Sequence, residues 1–421
     1  MFMLLTQTNR LKLNRSEQNV LKQLCRLSKN LYNVGLYTVR QYFFTERKHL
    51  RYEGAYHICK SNENYKLLAT DVGQQTLKVV DRAFQSFYGL IQAKQQGRFD
   101  AKISLPRYLD KEGYFALIIP IRIRQKFPDG RFMIPTSREF KRTYGSVYVE
   151  IPERLRDKRI KEIRILPKFK ARFFDVAYIY EQPEEVVNKQ QSNQILAVDL
   201  GLSNLASCVT TKSQSFIIDG QRLKSLNQWY NKRNSQLQSM KDLQGIKGIT
   251  YQQARLTDRR NQKVRDYLNK TARILIAHCI EQGINKVVVG YNLGIKQEIN
   301  LGHRNNQNFV QVPIAVLRLK LQSLCSRYGI EFVEQEESYT SKASFLDNDS
   351  IPIYNADNPT EYKFSGKRVR RGLYRTKLCW LVNADINGAA NILRKHLSKQ
   401  NESNFGLSRG CLAQPLRVKI S

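Results

Sequence analysis

Hydrophobic and polar positions change their spacing along the chain, and these changes separate it into parts. Residues 15–100 carry apolar side chains three or four positions apart, as one face of a helix requires. One such face consists of Leu77, Val80, Phe84, Phe87 and Ile91. From about 101 to 181, apolar and polar residues alternate between turn residues, which predicts an antiparallel β region. Its apolar runs are 121–124, 147–151 and 174–178.

The remainder of the chain has a mixed α/β pattern. A polar stretch at 182–194 predicts a linker, and short apolar runs then alternate with longer amphipathic segments. The predicted strands are 195–198, 206–209, 215–218, 286–290 and 329–333. The predicted helices are 255–280, 316–328 and 385–397, the last preceded by the polar Asn383. Three strands followed by alternating helices and strands, with a closing helix, form the element order of an RNase H-like fold.

The charge balance indicates a polyanionic partner. The 421 residues include 70 Lys and Arg but only 36 Asp and Glu, which gives a formal net charge of +34. Basic side chains neutralise phosphates and release counterions, so nucleic acid is the first candidate. A ribosomal role, a membrane-surface role or a merely solubilising charge would also fit this balance.

The sequence also argues against a membrane span, a disulfide framework and a zinc site. No apolar run approaches the roughly 20 residues that a bilayer span needs, and the segment 1–5 has no preceding basic region typical of a signal peptide. We therefore expect a cytoplasmic protein without a membrane partner. The seven cysteines stand singly, so the sequence predicts neither a disulfide framework nor a zinc site.

Two aspartates occupy positions that can carry chemistry in an RNase H-like sheet. Asp199 directly follows the first strand, and Asp385 begins the closing helix. Two-metal phosphodiester hydrolysis needs carboxylates that converge on cations about 3.5–4 Å apart, and hard oxygen ligands suit Mg²⁺ or Mn²⁺. Each aspartate alone is equally typical of a turn or a helix cap, so only their combination with the element order indicates a site.

The remaining acid of such a site has no counterpart at its expected place in this sequence. The strand that should supply it ends in Gly290 and carries no acid. The following strand ends in Glu336 and Glu337, and adjacent strands lie only about 4.8 Å apart. We therefore expect Asp199, Asp385 and either Glu337 or Glu336 to be catalytic. Glu337 is the favoured third metal ligand, and a merely charged strand exit is the alternative.

Basic residues provide candidate contacts to nucleic acid. They are Arg40, Arg47 and Arg82 in the first helical part, Arg255, Arg259, Arg260, Lys263 and Arg265 in the long helix, and Lys367, Arg368, Arg370 and Arg371 near the end. Aromatic rings beside guanidinium groups suit stacking on bases, and positive charge on most faces of one helix suits a phosphate backbone. Such patches favour backbone contact over sequence readout. Ordinary packing with a solvated basic surface is the alternative.

Several of these segments resemble the TnpB (OrfB) family of insertion-sequence proteins, RNA-guided nucleases related to type V CRISPR effectors. The matching segments are Asp199–Leu202 with the strand before it, Tyr339–Lys342, Asp385–Leu393, Val80–Phe87 and Leu105–Tyr108. They are spread over most of the chain, and the closing motif Asp385–Leu393 is the most specific of them.

The resemblance implies a bilobed architecture of α/β plus β class. A helical recognition domain would be inserted in a β-barrel wedge domain, and an RNase H-like RuvC nuclease domain would follow. For this chain the division is a wedge domain at 1–14 and 101–181, a recognition domain at 15–100, a linker at 182–194, a RuvC domain at 195–340 and 381–421, and an insertion at 341–380.

The resemblance also implies an RNA-guided DNA endonuclease of a transposon. Its partners would be a guide RNA from the transposon end and double-stranded target DNA with an adjacent motif, without a small-molecule substrate. Its cofactor would be Mg²⁺ or Mn²⁺, and its location would be the prokaryotic cytoplasm, at the nucleoid. In such enzymes base pairing reads the sequence, while the protein reads the heteroduplex shape and the adjacent motif.

Two departures from the family keep other functions open. Family members usually place the second acid on the strand that ends here at Gly290, and they often carry a four-cysteine zinc ribbon. Because 341–380 has no cysteine pair, we expect no zinc there and expect Phe345, Tyr354 and Tyr362 to hold the segment by packing. The alternatives are a nuclease-dead RNA-guided DNA-binding repressor and a DNA strand-transfer transposase.

Overall fold

The computed structural model describes residues 2–121, 127, 129–183, 193–292, 312–353, 361–370, 372–399 and 406–420. The chain divides into two compact units, Met1–Pro183 and Glu184–Ser421. The division falls within the predicted linker 182–194, of which 184–192 lie outside the described residues.

The first unit contains the helices predicted by the apolar spacing of residues 15–100. They are α1 (Arg15–Glu46), α2 (Tyr52–Cys59), α3 (Glu63–Leu67) and α4 (Thr70–Gln95), and a further helix, α5 (Arg138–Tyr144), lies in the β region. Asn14 and Glu17 form a capping box that satisfies free backbone N–H groups at the start of α1. Leu77, Val80 and Phe84 of the predicted apolar face are buried, which confirms that face as core.

Antiparallel strands form the rest of the first unit. They are β1 (Phe2–Arg10), β2 (Leu117–Pro120), β3 (Arg131–Met133), β4 (Tyr148–Glu150), β5 (Ile160–Lys168) and β6 (Phe173–Pro183), with one 3-10 turn at Glu153–Leu155. Four of them form a sheet of order β1-β6-β5-β2, and β3 pairs with β4. The described strands thus confirm a β region but not a closed barrel, which stays a prediction. Most of the predicted run 121–124 lies outside the described residues.

The second unit is built on a six-stranded mixed sheet. The described strands of this unit are β7 (Ile195–Asp199), β8 (Asn204–Thr210), β9 (Ser215–Asp219), β10 (Lys286–Tyr291), β11 (Glu331–Glu336), β12 (Lys367–Arg370), β13 (Leu373–Arg375), β14 (Leu381–Asn383) and β15 (Leu416–Val418). The large sheet has the order β11-β10-β7-β8-β9-β15, and β12, β13 and β14 form a separate small sheet. The three early strands pair antiparallel, as predicted, while β10 runs parallel to both β7 and β11.

Helices cover both faces of the large sheet. They are α6 (Gln221–Leu243), α7 (Tyr251–Gln282), α8 (Ile314–Tyr328), α9 (Ala384–Ser398) and α10 (Arg409–Ala413). Alternate residues of β7 enter different cores: Leu196 and Val198 pack with α7 and α8, whereas Ile195 and Ala197 pack with α9. A strand that is apolar at every position is therefore buried on both faces, which positions the polar residue at its end.

The membrane and cysteine expectations can be compared with the described residues. No helix among them is long and apolar enough to cross a bilayer. All seven cysteines are free thiols, six of them buried and Cys379 exposed. Burial in apolar surroundings raises the pKa of the Cys25, Cys279 and Cys325 thiols, which therefore behave as small hydrophobic side chains.

Candidate functional site

Asp199 stands where the central strand of the large sheet ends. The four residues before it are buried apolar side chains, so the strand fixes the position of the aspartate backbone. Burial, and then the negative charges of Glu337 and Asp385, raise the pKa of Asp199 to about 8, although Arg368 opposes this shift. The cause indicates three carboxylates in one neighbourhood with too little positive charge among them.

Gly290 explains how Glu337 reaches this neighbourhood. The parallel register pairs Gly290 of β10 with Gln335 of β11, two residues before Glu337. A Cβ added at Gly290 would collide with the Glu337 carboxylate and would lie 2.6 Å from Cδ1 of Ile392. The glutamate therefore occupies the space above β10 that a side chain at position 290 would need. The absence of a side chain at position 290 and the placement of the Glu337 carboxylate are two aspects of one arrangement.

The described surroundings of Glu337 provide little positive charge to compensate its carboxylate. Asn292 Nδ2 donates a hydrogen bond of 3.3 Å to Glu337 Oε1. Burial and the neighbouring charge of Glu336 raise the pKa of Glu337 to about 7. A carboxyl group in this state gains from any cation that replaces its proton, which is the property expected of a metal ligand.

Glu336 has a different environment from Glu337. One of its oxygens pairs with Lys395 of α9, and the other accepts a 2.6 Å hydrogen bond from the Ser338 backbone N–H. Burial alone would raise the pKa of Glu336, but the hydrogen bonds from Lys395 and Ser338 outweigh burial and lower it. Lys395 is only 5% exposed and also donates to the Ser338 and Pro352 carbonyls. The structure therefore engages Glu336 in an ion pair with a buried lysine.

Asp385 is placed by the first turn of α9. Asn383 caps the helix by accepting hydrogen bonds from the backbone N–H groups of Asp385 and Ile386. One turn later, Gly388 allows the helix to approach β7, because a Cβ there would lie 2.9 Å from Asp199 Oδ2. The helix start and the central strand end thus bring the two predicted aspartates together.

Both oxygens of Asp385 have partners in this structure. Asn204 Nδ2 donates to Oδ2 at 2.6 Å, and Arg368 Nη2 pairs with Oδ1 at 2.9 Å. Among the described residues, no group of three or more His, Cys, Asp or Glu side chains is arranged to hold a metal ion. The three acids are therefore neighbours but not an assembled metal centre while Arg368 occupies Asp385.

Two asparagines of α9 shape the chain immediately after Glu337. The fully buried Asn391 donates to the carbonyls of Thr340 and Ala343, each at 2.8 Å. Asn387, also fully buried, donates to the Ala343 carbonyl and accepts from the Phe345 backbone N–H. Two of the matching segments, Tyr339–Lys342 and Asp385–Leu393, are therefore partners in space. Their contacts fix the turn from which Glu337 projects.

A pocket of about 1000 Å³ opens beside the two aspartates. Asp199, Asp385 and Arg368 contribute to its lining, together with polar and basic residues of β8, α6 and β15. The α6 contribution is Gln221, Lys224, Ser225 and Gln228, which share one helical face. Glu337 is not part of this lining. The pocket offers hydrogen-bond donors and positive charge close to the acids, which suits a phosphodiester.

The donor set fits a hard divalent cation. Asp199, Glu337 and Asp385 supply carboxylate oxygens only, and burial followed by neighbouring negative charge raises the pKa of the first two. Among the described residues, the Arg368 guanidinium is a positive group that pairs with one of these carboxylates, that of Asp385. The three carboxylates therefore suit Mg²⁺ or Mn²⁺ once the cation replaces Arg368 at Asp385.

The basic residues of α7 fall into two groups. Arg255, Arg259, Lys263 and Arg265 are exposed, and the first three repeat every four residues along one face. Arg260 instead donates 2.8 Å and 2.9 Å hydrogen bonds to Asn227 and Asn261 and lies over the Tyr230 ring. The exposed residues remain candidate nucleic-acid contacts, whereas Arg260 holds α7 against α6.

The remaining predicted basic contacts have diverse positions. Arg47 ends α1 in a left-handed conformation and is exposed, and Arg82 donates to the Lys78 carbonyl. Arg40 lies over the rings of Phe44 and Tyr108, with centroid distances of 5.7 Å and 5.0 Å. On β12, Lys367, Arg368 and Arg370 are exposed, and Arg371 lies outside the described residues. Arg368 is thus the predicted contact that stands at the acids.

Hydrogen bonds hold much of the insertion 341–380 in place. Asp347 Oδ2 accepts from the Ser344 and Ser365 hydroxyls and from the Lys377 backbone N–H, at 2.6, 3.1 and 2.8 Å. Of the aromatic residues predicted to pack there, Phe345 is buried, whereas Tyr362 is 43% exposed against the Tyr339 ring. Tyr354 lies outside the described residues. The packing prediction is thus confirmed for Phe345, while Tyr362 contacts the Tyr339 ring from a partly exposed position. The Asp347 carboxylate, which the prediction did not include, also joins three stretches of chain.

Sequence reasoning missed three residues around the acids. Asn204, Lys395 and Arg417 contact Asp385, Glu336 and Asn204, respectively. For Asn204 and Arg417 the sequence gives no signal, because each lies far from its partner along the chain. Lys395 carried a weak signal, since it lies on the buried face of a helix whose neighbours at 392, 393 and 397 are apolar.

Known proteins resemble this chain both in sequence and in structure. A family model, OrfB_IS605, described as "Probable transposase", matches residues 177–296. The TnpB-like protein ORF457 of Acidianus two-tailed virus is 23% identical over 431 residues, covering 93% of this chain and 86% of that protein.

Among solved structures, the Cas12f1-sgRNA-target DNA complex is similar with a TM-score of 0.58 at 13% identity. That similarity covers 90% of this chain and 83% of the Cas12f1 chain. The mini-RNA-guided endonuclease CRISPR-Cas_phi3 aligns with a TM-score of 0.45 at 11% identity, over 94% of this chain and 92% of the other. At the identity of the first structure, the likeness concerns the fold.

Proposed function

We propose that this chain belongs to the TnpB (OrfB) family and is an RNA-guided DNA endonuclease of a transposon. The observation that carries the proposal is the meeting of Asp199, Glu337 and Asp385, with Glu337 seated above Gly290. The family usually has an acid on the strand of Gly290, and here the end of the next strand delivers a carboxylate to the same neighbourhood. The relocated acid supports an intact site over a decayed one.

The three carboxylates would hold Mg²⁺ or Mn²⁺, which when bound activates water and stabilises the leaving oxygen in phosphodiester hydrolysis. Asp199 and Glu337 contribute oxygens from two rigid strand ends, and Asp385 contributes one from the start of α9. Glu336 takes no part in this proposal, because Lys395 and Ser338 occupy its oxygens.

Arg368 must leave Asp385 before that carboxylate can hold a cation. The side chains of the pair are 46% and 28% exposed, so a phosphate entering the pocket can reach the guanidinium. Arginine binds phosphate as well as carboxylate. A DNA phosphate would therefore give Arg368 another negatively charged partner in place of Asp385. Entry of DNA and release of Asp385 would then be one event.

The partners are proposed from the family and from the solved complex with the similar fold. That complex contains Cas12f1, sgRNA and target DNA, and a net charge of +34 gives the present chain the surface for both polyanions. The domain division predicted above, with a recognition domain at 15–100 and a RuvC domain at 195–340 and 381–421, belongs to the same proposal.

The test is guided cleavage of DNA by the full chain. The protein is purified with the RNA transcribed from the flank of its gene and mixed with a matched plasmid in Mg²⁺. We expect cutting that requires the matched sequence and that EDTA, RNase pretreatment or Asp385→Asn abolishes. A mismatched plasmid is the control, and cutting that survives RNase contradicts the guided function.

The two other functions correspond to different outcomes of this assay. A DNA-binding repressor would bind the matched plasmid tightly but leave it uncut, with wild type behaving as Asp385→Asn does. The family description "Probable transposase" favours the second, a strand-transfer enzyme. Such an enzyme would join element ends to a target without RNA.

A further inference from the structure

Asn204 connects Asp385 to the last strand of the large sheet. Its Nδ2 donates to Asp385 Oδ2 at 2.6 Å, while its Oδ1 accepts from Arg417 Nη1 at 3.2 Å. Asn204 is the first residue of β8, and Arg417 is the middle residue of β15. The two ends of one carboxamide are therefore occupied by partners of opposite charge.

Arg417 is itself held in place. The same Nη1 donates to Asp219 Oδ1 at 3.0 Å, and the Asp219 side chain is only 13% exposed. β15 runs parallel to β9 with Arg417 paired to Ile217, so the backbone fixes the distance from Arg417 to the end of β9. Asp219, Arg417 and Asn204 thus form a fixed chain of contacts that ends on Asp385.

The orientation of the Asn204 carboxamide depends on Arg417. An asparagine side chain presents an acceptor on one side and two donors on the other, and it can turn over. Arg417 is a permanent donor, so only the orientation with Oδ1 toward Arg417 pairs both ends. In the reverse orientation, Oδ1 would face the Asp385 carboxylate and the amide nitrogen would face the guanidinium. Both of those contacts are repulsive.

We propose that Asn204 and Arg417 are positioning residues that orient Asp385 to bind a divalent cation. Asn204 holds Oδ2 of Asp385, which leaves Oδ1, the oxygen now paired with Arg368, as the one that can be exchanged for a divalent cation. Arg417 acts only through Asn204. This inference rests on the proposed function, because it assigns Asp385 the role of a metal ligand.

The test measures Mn²⁺ affinity of the full chain by titration, with guided DNA cutting measured in parallel. Hydrogen-bond partners of metal ligands are typically worth about 10- to 100-fold in metal affinity. We expect Asn204→Ala and Arg417→Ala each to weaken Mn²⁺ binding by about 10-fold. The double variant should be no weaker than Asn204→Ala alone, because Arg417 has no effect once Asn204 is absent.

Two further variants separate positioning from general damage. Lys419→Ala removes a positive charge two residues along the same stretch, without the Asn204 contact, and should bind Mn²⁺ as wild type does. Arg417→Lys keeps a donor for Asn204 Oδ1 and should restore part of the affinity. Losses in the double variant that multiply, or an Arg417→Ala affinity equal to that of Lys419→Ala, would overturn the proposal.

The outcomes also distinguish this inference from the proposed function. If wild type cuts DNA and the Asn204 and Arg417 variants bind Mn²⁺ normally, the positioning role fails and the nuclease stands. If the variants lose Mn²⁺ affinity as expected but wild type never cuts guided DNA, the nuclease proposal fails and the positioning role stands. If wild type binds no Mn²⁺, the positioning role is overturned. The proposed function is then judged by guided DNA cutting alone.

Discussion

Glu336 and Glu337 show how far two adjacent carboxylates can differ. The sequence favours Glu337 but does not exclude Glu336, because both lie at the end of the same strand. Glu336 ends β11 and Glu337 is the next residue, and their carboxylates have different surroundings beside α9. Lys395 pairs with Glu336, and Gly290 makes room for Glu337. Neither partner is adjacent in sequence, so the choice could not be made without the fold.

The ion pair with the buried Lys395 predicts a stability defect at Glu336. Glu336→Gln leaves the Lys395 ammonium, which is 5% exposed, without its carboxylate, which is 35% exposed. The free energy of unfolding should fall by about 2 kcal/mol, between the values typical of exposed and of buried pairs. Denaturant unfolding measures this. The matched control is Glu331→Gln on the same strand, which removes a 60% exposed carboxylate from a 17% exposed Lys286 and should cost no more than about 1 kcal/mol. Equal losses would contradict the assignment of Glu336 to a structural role.

The raised pKa of Asp199 predicts how stability depends on pH. Unfolded aspartate has a pKa of about 3.9, so between that value and about 8 the folded protein holds a proton that the unfolded chain releases. Stability therefore falls as pH rises through this window, and the full penalty is present above the folded pKa. Asparagine has no proton to lose, so Asp199→Asn should raise the Tm of the metal-free protein more at about pH 9 than at about pH 6. Equal increases in Tm at the two pH values would contradict the prediction.

At the scale of elements, the sequence predicts what is strongly patterned. The apolar run of β7 and the apolar spacing of α7 are found with ends within a few residues of those predicted. The helix α6 was missed because it buries little more than Leu223 and Asn227 and has no apolar face to detect. The strand β15 was missed because it is three residues long and largely exposed. Both elements line the pocket. Polar elements at the surface lack the hydrophobic pattern from which a helix or a strand is predicted.

The approach of α9 to β7 predicts a separation of stability from activity. Gly388→Ala removes a flexible glycine from a helix interior, which is worth about 0.5–1 kcal/mol of stability. The new Cβ would press on the Asp199 carboxylate, and displacement of a reacting group by about 1 Å costs about 100-fold in rate. Overpacking costs about 1–3 kcal/mol, which offsets the helix gain, so we expect a folded protein without increased stability that cuts far more slowly.

The control for this prediction is Gly89→Ala in α4, where an added Cβ meets nothing within 4 Å. It should bring the same gain in helix stability without changing the cutting rate. Unfolding and cleavage are measured on both variants. A Gly388→Ala protein that cuts like Gly89→Ala would contradict the close approach of α9 to Asp199.

At the scale of the whole molecule, the excess of basic residues over acidic ones predicts strongly salt-dependent binding. Each phosphate contact contributes about one unit to the slope of log affinity against log salt. Arg255, Arg259 and Lys263 form one exposed row on α7. Replacing all three by Gln should lower the slope for RNA or DNA by about one unit for each contact that is lost.

Arg260 serves as the contrast on the same helix. It is bound to Asn227 and Asn261, so Arg260→Gln should lower stability and leave the salt slope unchanged. Filter binding over a salt series measures the slopes. The row on α7 has no role in nucleic-acid binding if the triple variant keeps the wild-type slope.

Glu337 is the residue on which the proposed nuclease centre depends most, because it replaces the acid that position 290 lacks. The decisive measurement is the rate of guided plasmid cutting in Mg²⁺ by Glu337→Gln and by Glu336→Gln, at a temperature where both are folded. We predict that Glu337→Gln binds the matched DNA but does not cut it, while Glu336→Gln retains cutting. Wild-type cutting by Glu337→Gln, or loss of cutting only in Glu336→Gln, would contradict the site as assembled from the structure.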